Sequence, residues 1–349
     1  MHAAYKKMKK SVKKILATVL TATVVSGAVF LRIFSLLEAP VTSKESFKLY
    51  ITPGFTQESV LDSIRNRDSD ANVKGLRLWL NHRNYQANIH TGCYTVNTGA
   101  SAREVANMLS GGAQTPVRLK INSVRTVDRM AALISSQLMM DSTQVITLLT
   151  DKNFLDSIGY SPATAFCIII PNTYEVWWNI SPEGLFRRLL QEKDKFWNNE
   201  RKTKAASLGM DENQVMTLAS IVEEETAKSD ELPVVAGLYI NRLKRGMPLQ
   251  ADPTVIFALG GERPKRVLNT HLEIDSPYNT YKITGLPPAP IRFVNISSID
   301  AVLNYSKHNY LYMCAKEDFS GYHNFATTLS QHNANAARYR QALNRAGIR

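Results

Sequence analysis

The stretch NQVMTLASIVEEETAKSDELPVVAG, residues 213–237, decides how the rest of the chain is read. It predicts one strong helix, a break across residues 229–233 and the start of a second helix. On a 3.6-residue period Val215, Leu218, Ala219, Val222 and Thr226 share one face. Glu223, Glu224 and Glu225 interrupt that stripe. Glu224 points away from it, beside Thr217, which predicts a solvated side chain. Glu225 follows Val222 by three residues, Ile221 by four and Leu218 by seven, so it stands at one edge of the apolar face. Glu223 stands at the other edge, near Ala219 and Met216. A carboxyl at an apolar edge loses hydration, which disfavours its charged form. A general acid working near neutral pH needs that property. Helix geometry leaves both Glu223 and Glu225 open as such an acid. It equally leaves open three surface glutamates on an ordinary amphipathic helix, since glutamate is a good helix former.

The chain has 349 residues, enough for two or three domains, and is 44% apolar and 21% charged, which suits a packed core. Its net charge of +12 is unevenly placed. Residues 1–38 carry seven Lys or Arg and one Glu, and the remaining 311 residues carry 35 and 29, so each part contributes +6. The bulk is thus mildly basic, with no basic patch interleaved with aromatics of the kind that reads nucleic acid. Cys93, Cys167 and Cys314 are far apart without a CxxC spacing, which argues against a zinc or redox site. Cys167, in the apolar run 165–170, is expected in the core.

Lys6, Lys7, Lys9, Lys10, Lys13 and Lys14 form a basic tail over residues 1–14, and residues 15–31 are 17 positions without a charge. Arg32 can snorkel to the far interface, so residues 15–37 are expected to span a membrane as an uncleaved anchor. A cleaved signal peptide is the rival; the long apolar run and the lack of a tidy small-x-small site stand against it. The basic flank stays inside, so residue 39 onward faces outward, into the periplasm of a diderm cell.

Residues 44–113 repeat a strand–turn–helix unit: strand 47–52 with helix 56–65, and strand 92–96 with helix 101–109, with helix 74–81 between. The layout resembles a LysM-like carbohydrate-binding module. From residue 115 the pattern changes to strand 117–121 and helices over 126–137, 141–150, 152–158 and 181–202. The central helix, a helix over 234–245 and a long Pro- and Tyr-rich loop over 264–290 follow. Helix 297–304, strand 310–314 and helix 330–346 close the chain. Tyr278 and Tyr281 favour an ordered, ligand-facing loop.

Five blocks carry a resemblance: IPNTYE at 170–175, LASIVEEETA at 218–227, LQADPTV at 249–255, YNTYKITGLPP at 278–288, and HNF at 323–325 followed by HN at 332–333. In this order and spacing they resemble the MltG/YceG-like endolytic transglycosylase family across residues 117–349, and the anchor and LysM-like segment match its layout. The chain departs from the family pattern at Ala289, where a Gly is usual, and at Phe293-Val294, where Asn-Pro is usual, which bears on the backbone of that loop. The resemblance implies an α+β protein: a membrane anchor helix, a small LysM-like module over 44–113 and a mixed, mainly helical lysozyme-like catalytic domain over 115–349.

The resemblance also implies that Glu225, followed by Thr226, is the essential glutamate. The implied activity is endolytic cleavage of the MurNAc–GlcNAc bond of nascent peptidoglycan, leaving a 1,6-anhydro-MurNAc end and terminating strand growth. One carboxyl then serves as acid and base, whereas a retaining hydrolase needs two. Asp252 is the best second carboxylate, although Asp-Pro-Thr is also a common turn or helix start. Gln250, Asn279 and Tyr281 carry groups that bind N-acetyl sugars or equally tie loops together, and Asp252 and Thr226 are expected with them among the substrate-binding residues. His323 and Phe325 are expected to pack or line the groove. The alternatives are a water-using muramidase and a non-catalytic, membrane-tethered glycan-binding protein. No metal or organic cofactor is expected. The expected partners are glycan strands, the membrane and the peptidoglycan synthases (penicillin-binding proteins), with no nucleic acid.

Overall fold

The structure is a computed structural model; it describes residues 2–260 and 267–347, with side chains from Lys13 onward. The side chains of Lys6, Lys7, Lys9 and Lys10, and residues 264–266 of the predicted long loop, lie outside the described residues. The chain divides into two compact units, Met1–Val117 with Trp177–Asn179, and Arg118–Val176 with Ile180–Arg349.

The first unit opens with α1 (His2–Glu38), a single helix that takes in both the basic tail and the apolar run. Within its portion Lys13–Glu38 an 18-residue window reaches a mean hydropathy of 1.9, so the helix is long and apolar enough to cross a membrane. Strand β1 (Phe47–Ile51), helices α2 (Gln57–Arg67) and α3 (Val73–His82), strand β2 (Gly92–Val96) and helix α4 (Ala102–Ser110) follow. β1 and β2 pair antiparallel with Leu49 opposite Tyr94. Their alternation turns Leu49, Ile51, Tyr94 and Val96 onto Val60, Leu61 and Ile64 of α2, Leu76 and Leu80 of α3, and Leu109 of α4. Thr56 and Ser101 cap α2 and α4 with capping boxes, which fixes both starts where the sequence places them. The end of α1 is tied down: Asn72 Nδ2 donates to the Leu36 carbonyl at 2.7 Å. A Cβ on Gly75 would meet that same carbonyl at 2.2 Å, so only glycine lets α3 approach. Trp178 rests edge-on against Tyr50, and Asn179 donates to the Thr91 carbonyl at 2.9 Å.

The second unit is mainly helical. Strand β3 (Val117–Lys120) pairs with β4 (Thr173–Val176), with α5 (Val127–Ser135), α6 (Ser142–Thr150) and α7 (Lys152–Ser157) between them. Then come α8 (Pro182–Phe196), α9 (Asn199–Ser207), α10 (Glu212–Glu225), α11 (Leu232–Lys244) and α12 (Asp252–Ala258). α13 (Ile296–Leu303), the hairpin of β5 (Tyr312–Ala315) and β6 (His323–Ala326), and α14 (Leu329–Arg345) complete it.

The predicted helix over 181–202 is two helices. Trp197 turns into the core and the Asn198 side chain accepts from Arg201 N, capping α9 and stopping α8. Strands β4 and β6 and helix α12 are additional to the sequence-based expectation.

Helix α10 is the axis of this unit. Asp211 caps it in a capping box with Gln214. All eight residues from Val215 to Val222 are buried, a helix enclosed on every side over two turns instead of along one face. Its two buried hydroxyls are satisfied. Thr217 donates to the Asn213 carbonyl, and Ser220 donates to the Thr217 carbonyl while accepting from Ile291 N. Helices α9, α11, α12 and α13 pack around it. Gly237 lets α11 pass beneath the chain at Ser306, whose carbonyl a Cβ would meet at 2.3 Å.

Candidate active site

Helix α10 ends at Glu225, and Thr226 is already extended, with φ −140° and ψ 141°. The three consecutive glutamates therefore fan out from the last helical turn. Glu224 does not reach solvent; its side chain is 6% exposed. Arg125 holds it bidentately, through Nε at 2.7 Å and Nη2 at 2.6 Å, and Arg292 Nη1 donates at 2.6 Å. This corrects the expectation of a solvated Glu224: the side of the helix away from the apolar stripe is covered by residues 123–125 and 292–295. Ser123 joins the cluster, accepting from Arg292 Nε and donating to the Phe293 carbonyl. Glu223 accepts from both the backbone N and Nδ2 of Asn295 at 2.8 Å and lies 3.2 Å from Arg292 Nη2. Its oxygens are taken up in tying the start of α13 to the end of α10.

Glu225 faces elsewhere. Its Oε1 accepts from the Tyr239 hydroxyl at 2.7 Å, and both line a cleft of about 240 Å³. Tyr239 is buried on α11. Burial raises its phenol pKa well above the usual value and the Glu225 charge adds to the rise, so the hydroxyl stays a donor.

Asp252, Gln250 and Tyr281 line the same cleft. Asp252 is the first residue of α12; Ala251 is the cap position, with no side-chain bond. The exposed Asp252 carboxylate accepts from the Tyr281 hydroxyl at 2.5 Å. Burial, then that hydrogen bond, push the Tyr281 phenol above its usual range. Gln250 adopts φ 51°, a left-handed conformation unusual for a side-chain-bearing residue, beside the cleft. Thr280 pins that turn, its carbonyl accepting from Gln250 N and its hydroxyl from Ala251 N.

Two expected sugar-binding residues lie outside the cleft lining. Asn279 is fully buried; its Nδ2 donates to the Leu272 and Ile274 carbonyls and its Oδ1 accepts from Tyr281 N. Its amide is spent on shaping the loop that presents Tyr281. Thr226 is also buried, accepting from Lys228 N and donating to Glu231 Oε2 at 3.0 Å. In both residues the side-chain polar group is engaged in loop support, for Asn279 the second of the two roles its sequence reading leaves open.

Sequence reasoning missed Tyr239, Arg242 and Glu231. Arg242 is a largely buried part of the cleft wall, where it donates to the Leu311, Pro248 and Leu249 carbonyls and to Gln250 Oε1. It thereby joins the β5 entry to the Gln250 turn. No periodic signal marks these residues, because the break after Thr226 resets the helical phase. His323 lines the cleft, as does half-buried Cys314. Cys167 is fully buried, which pushes its thiol to about 12. Among the described residues no group of three or more His, Cys, Asp or Glu side chains could hold a metal ion.

A family model described as the YceG-like family matches residues 49–338. An endolytic murein transglycosylase of Bacillus subtilis is 29% identical over 346 residues, covering 91% of this chain and 92% of its own length. One from Streptococcus pneumoniae serotype 2 is 26% identical over 362 residues, covering 91% of this chain, which spans 65% of that longer protein. A crystal structure of a YceG-like protein from Listeria monocytogenes shares 27% identity at a TM-score of 0.57, covering 84% of this chain and 99% of its own.

Proposed function

The chain belongs to the YceG-like family, and from that premise and the cleft geometry we propose that it is an endolytic lytic transglycosylase of peptidoglycan with Glu225 as its acid. The observation that carries the assignment is that, of the three consecutive glutamates, Glu225 is the one on the cleft wall, oriented by Tyr239. In this mechanism the Glu225 carboxyl gives its proton to the glycosidic oxygen between MurNAc and GlcNAc. The resulting carboxylate takes the proton of the sugar's C6 hydroxyl as that oxygen attacks C1. The product is a 1,6-anhydro-MurNAc end, formed without water. Asp252, Gln250 and Tyr281 line the approach and are assigned to holding the sugars.

A second reading, a water-using muramidase, is favoured by one observation: the Asp252 carboxylate lines the same cleft. Its engagement by Tyr281 speaks for a positioning role instead.

The apolar portion of α1 is assigned to a single-pass anchor with the basic tail inside and the two units outside, in the inner membrane and periplasm of a diderm cell. The antiparallel β1–β2 pair enclosing α2 and α3 supports assigning residues 44–113 to LysM-like glycan binding. Work on nascent strands makes the peptidoglycan synthases the natural protein partners.

The test uses full-length protein in detergent micelles and purified uncrosslinked glycan strands. Long strands should shorten to intermediate lengths. Release of terminal disaccharides alone would contradict endolytic action, and co-sedimentation with uncut strands would leave the glycan-binding protein.

A further inference from the structure

Glu231 is an enclosed acid six residues beyond Glu225, its side chain 7% exposed. It receives three donors. His323 N donates to Oε1 at 2.7 Å, and Thr226 Oγ1 donates to Oε2 at 3.0 Å. The His323 ring Nδ1 lies 2.9 Å from Oε2. Thr226 accepts from Lys228 N, so its own proton goes to Glu231. With a backbone N–H and a hydroxyl already pointing at the carboxylate, the consistent assignment makes Nδ1 the protonated ring nitrogen. In that tautomer the ring lone pair lies on Nε2, where no described residue is hydrogen-bonded. His323 stands at the start of β6 on the wall of the cleft that holds Glu225, Asp252 and Tyr281. A brace for the hairpin would need only the backbone N–H bond; the second bond fixes which edge of the ring faces the cleft. The same carboxylate, through Thr226, also fixes the turn that follows Glu225. One buried group thus sets the acid and the imidazole in a common frame.

We infer that His323, with its ring fixed by Glu231, contacts the substrate: its Nε2 accepts a hydrogen bond from a hydroxyl or acetamido N–H of the bound amino sugar. This deepens the transglycosylase reading and rests on it for the identity of the sugar. Asn at position 323 keeps an N–H near the place of Nδ1 and removes Nε2. Gln puts an amide oxygen near the place of Nε2 and gives up the Glu231 bond. Full-length protein in micelles, with uncrosslinked murein glycan strands as the probe, is assayed for kcat, KM and thermal midpoint. Strand affinity is measured in parallel in a Glu225→Gln background. His323→Asn should melt like wild type yet lose about 10-fold in kcat/KM and in strand affinity, the scale of one lost hydrogen bond. His323→Gln should recover part of that loss despite melting lower. A His323→Asn protein with wild-type kcat/KM and strand affinity would overturn the inference. So would losses in both variants that simply follow the melting temperature. If wild-type protein leaves the strands uncut, the transglycosylase reading fails, while the strand affinities still decide the role of His323.

Discussion

The C-terminal turn of α10 divides into two neighbourhoods one residue apart. On one, Glu223 and Glu224 meet Arg125, Arg292 and Asn295 and fasten the helix to residues 123–125 and 292–295. On the other, Glu225 meets Tyr239 on the wall of a cleft. The chemical group and the helix are the same, so the partners alone make the difference. An arginine fork takes both carboxylate oxygens and fixes the group in place. A buried phenol orients the carboxyl toward a space that a sugar can enter. The fastened side gives the cleft side its rigidity, since the backbone that ends at Glu225 is the backbone Glu223 and Glu224 hold.

The largest expected effect lies on the cleft side. Glu225→Gln keeps an acceptor for Tyr239 but cannot act as an acid. Strand cleavage should fall on the order of 100- to 10,000-fold, with an unchanged melting midpoint; near-wild-type turnover would exclude Glu225 as the acid.

On the fastened side the effect moves to stability. Glu224→Gln leaves two guanidinium groups against a neutral amide in a largely buried site, at a cost of about 3 kcal/mol. The midpoint should drop by several degrees, while the folded fraction, measured by circular dichroism, keeps most of its turnover. A wild-type melting curve would show that the cluster fastens nothing.

Tyr239→Phe sharpens the contrast further. It removes one donor to Glu225, worth about 1 kcal/mol, or about fivefold in kcat. Because burial raises the folded pKa of Tyr239, its contribution to stability is complete below the unfolded phenol value of about 10 and is lost as pH rises beyond it. Melting curves of wild type should therefore fall above that pH, and those of Tyr239→Phe should fall less.

The smallest effect is expected at Asp252. Asp252→Asn keeps an acceptor for Tyr281, so cleavage should stay near wild type in the same assay. A loss comparable with that of Glu225→Gln would favour the two-carboxylate muramidase.

Local order in this molecule was legible in the sequence and long-range pairing was not. The starts of α2, α4 and α6 carry Thr56, Ser101 and Asp141, whose side chains close capping boxes, and such signals act within four residues. The break between α8 and α9 was hidden because the amphipathic period runs on through Trp197 and only the Asn198 cap interrupts it. Strand β6 owes its extended form to pairing with β5, a partnership that no pattern within its own four residues displays. Glu224 was misplaced because its partners lie 99 and 68 residues away, beyond any helical period. Helix geometry left Glu223 and Glu225 open; what separates them is Asn295, 72 residues on, and Tyr239 across the turn. Asn279 and Tyr281 read alike as sugar-binding groups, and burial alone sends the first into the loop and the second to the cleft.

In the proposed mechanism one carboxyl, Glu225, does the work of two. Mass spectrometry of the new strand ends tests it most directly. Wild-type protein should produce 1,6-anhydro-MurNAc ends, lighter by one water than reducing ends, and these should vanish with Glu225→Gln. Reducing ends from the wild type, or anhydro ends that persist undiminished in Glu225→Gln, would contradict it.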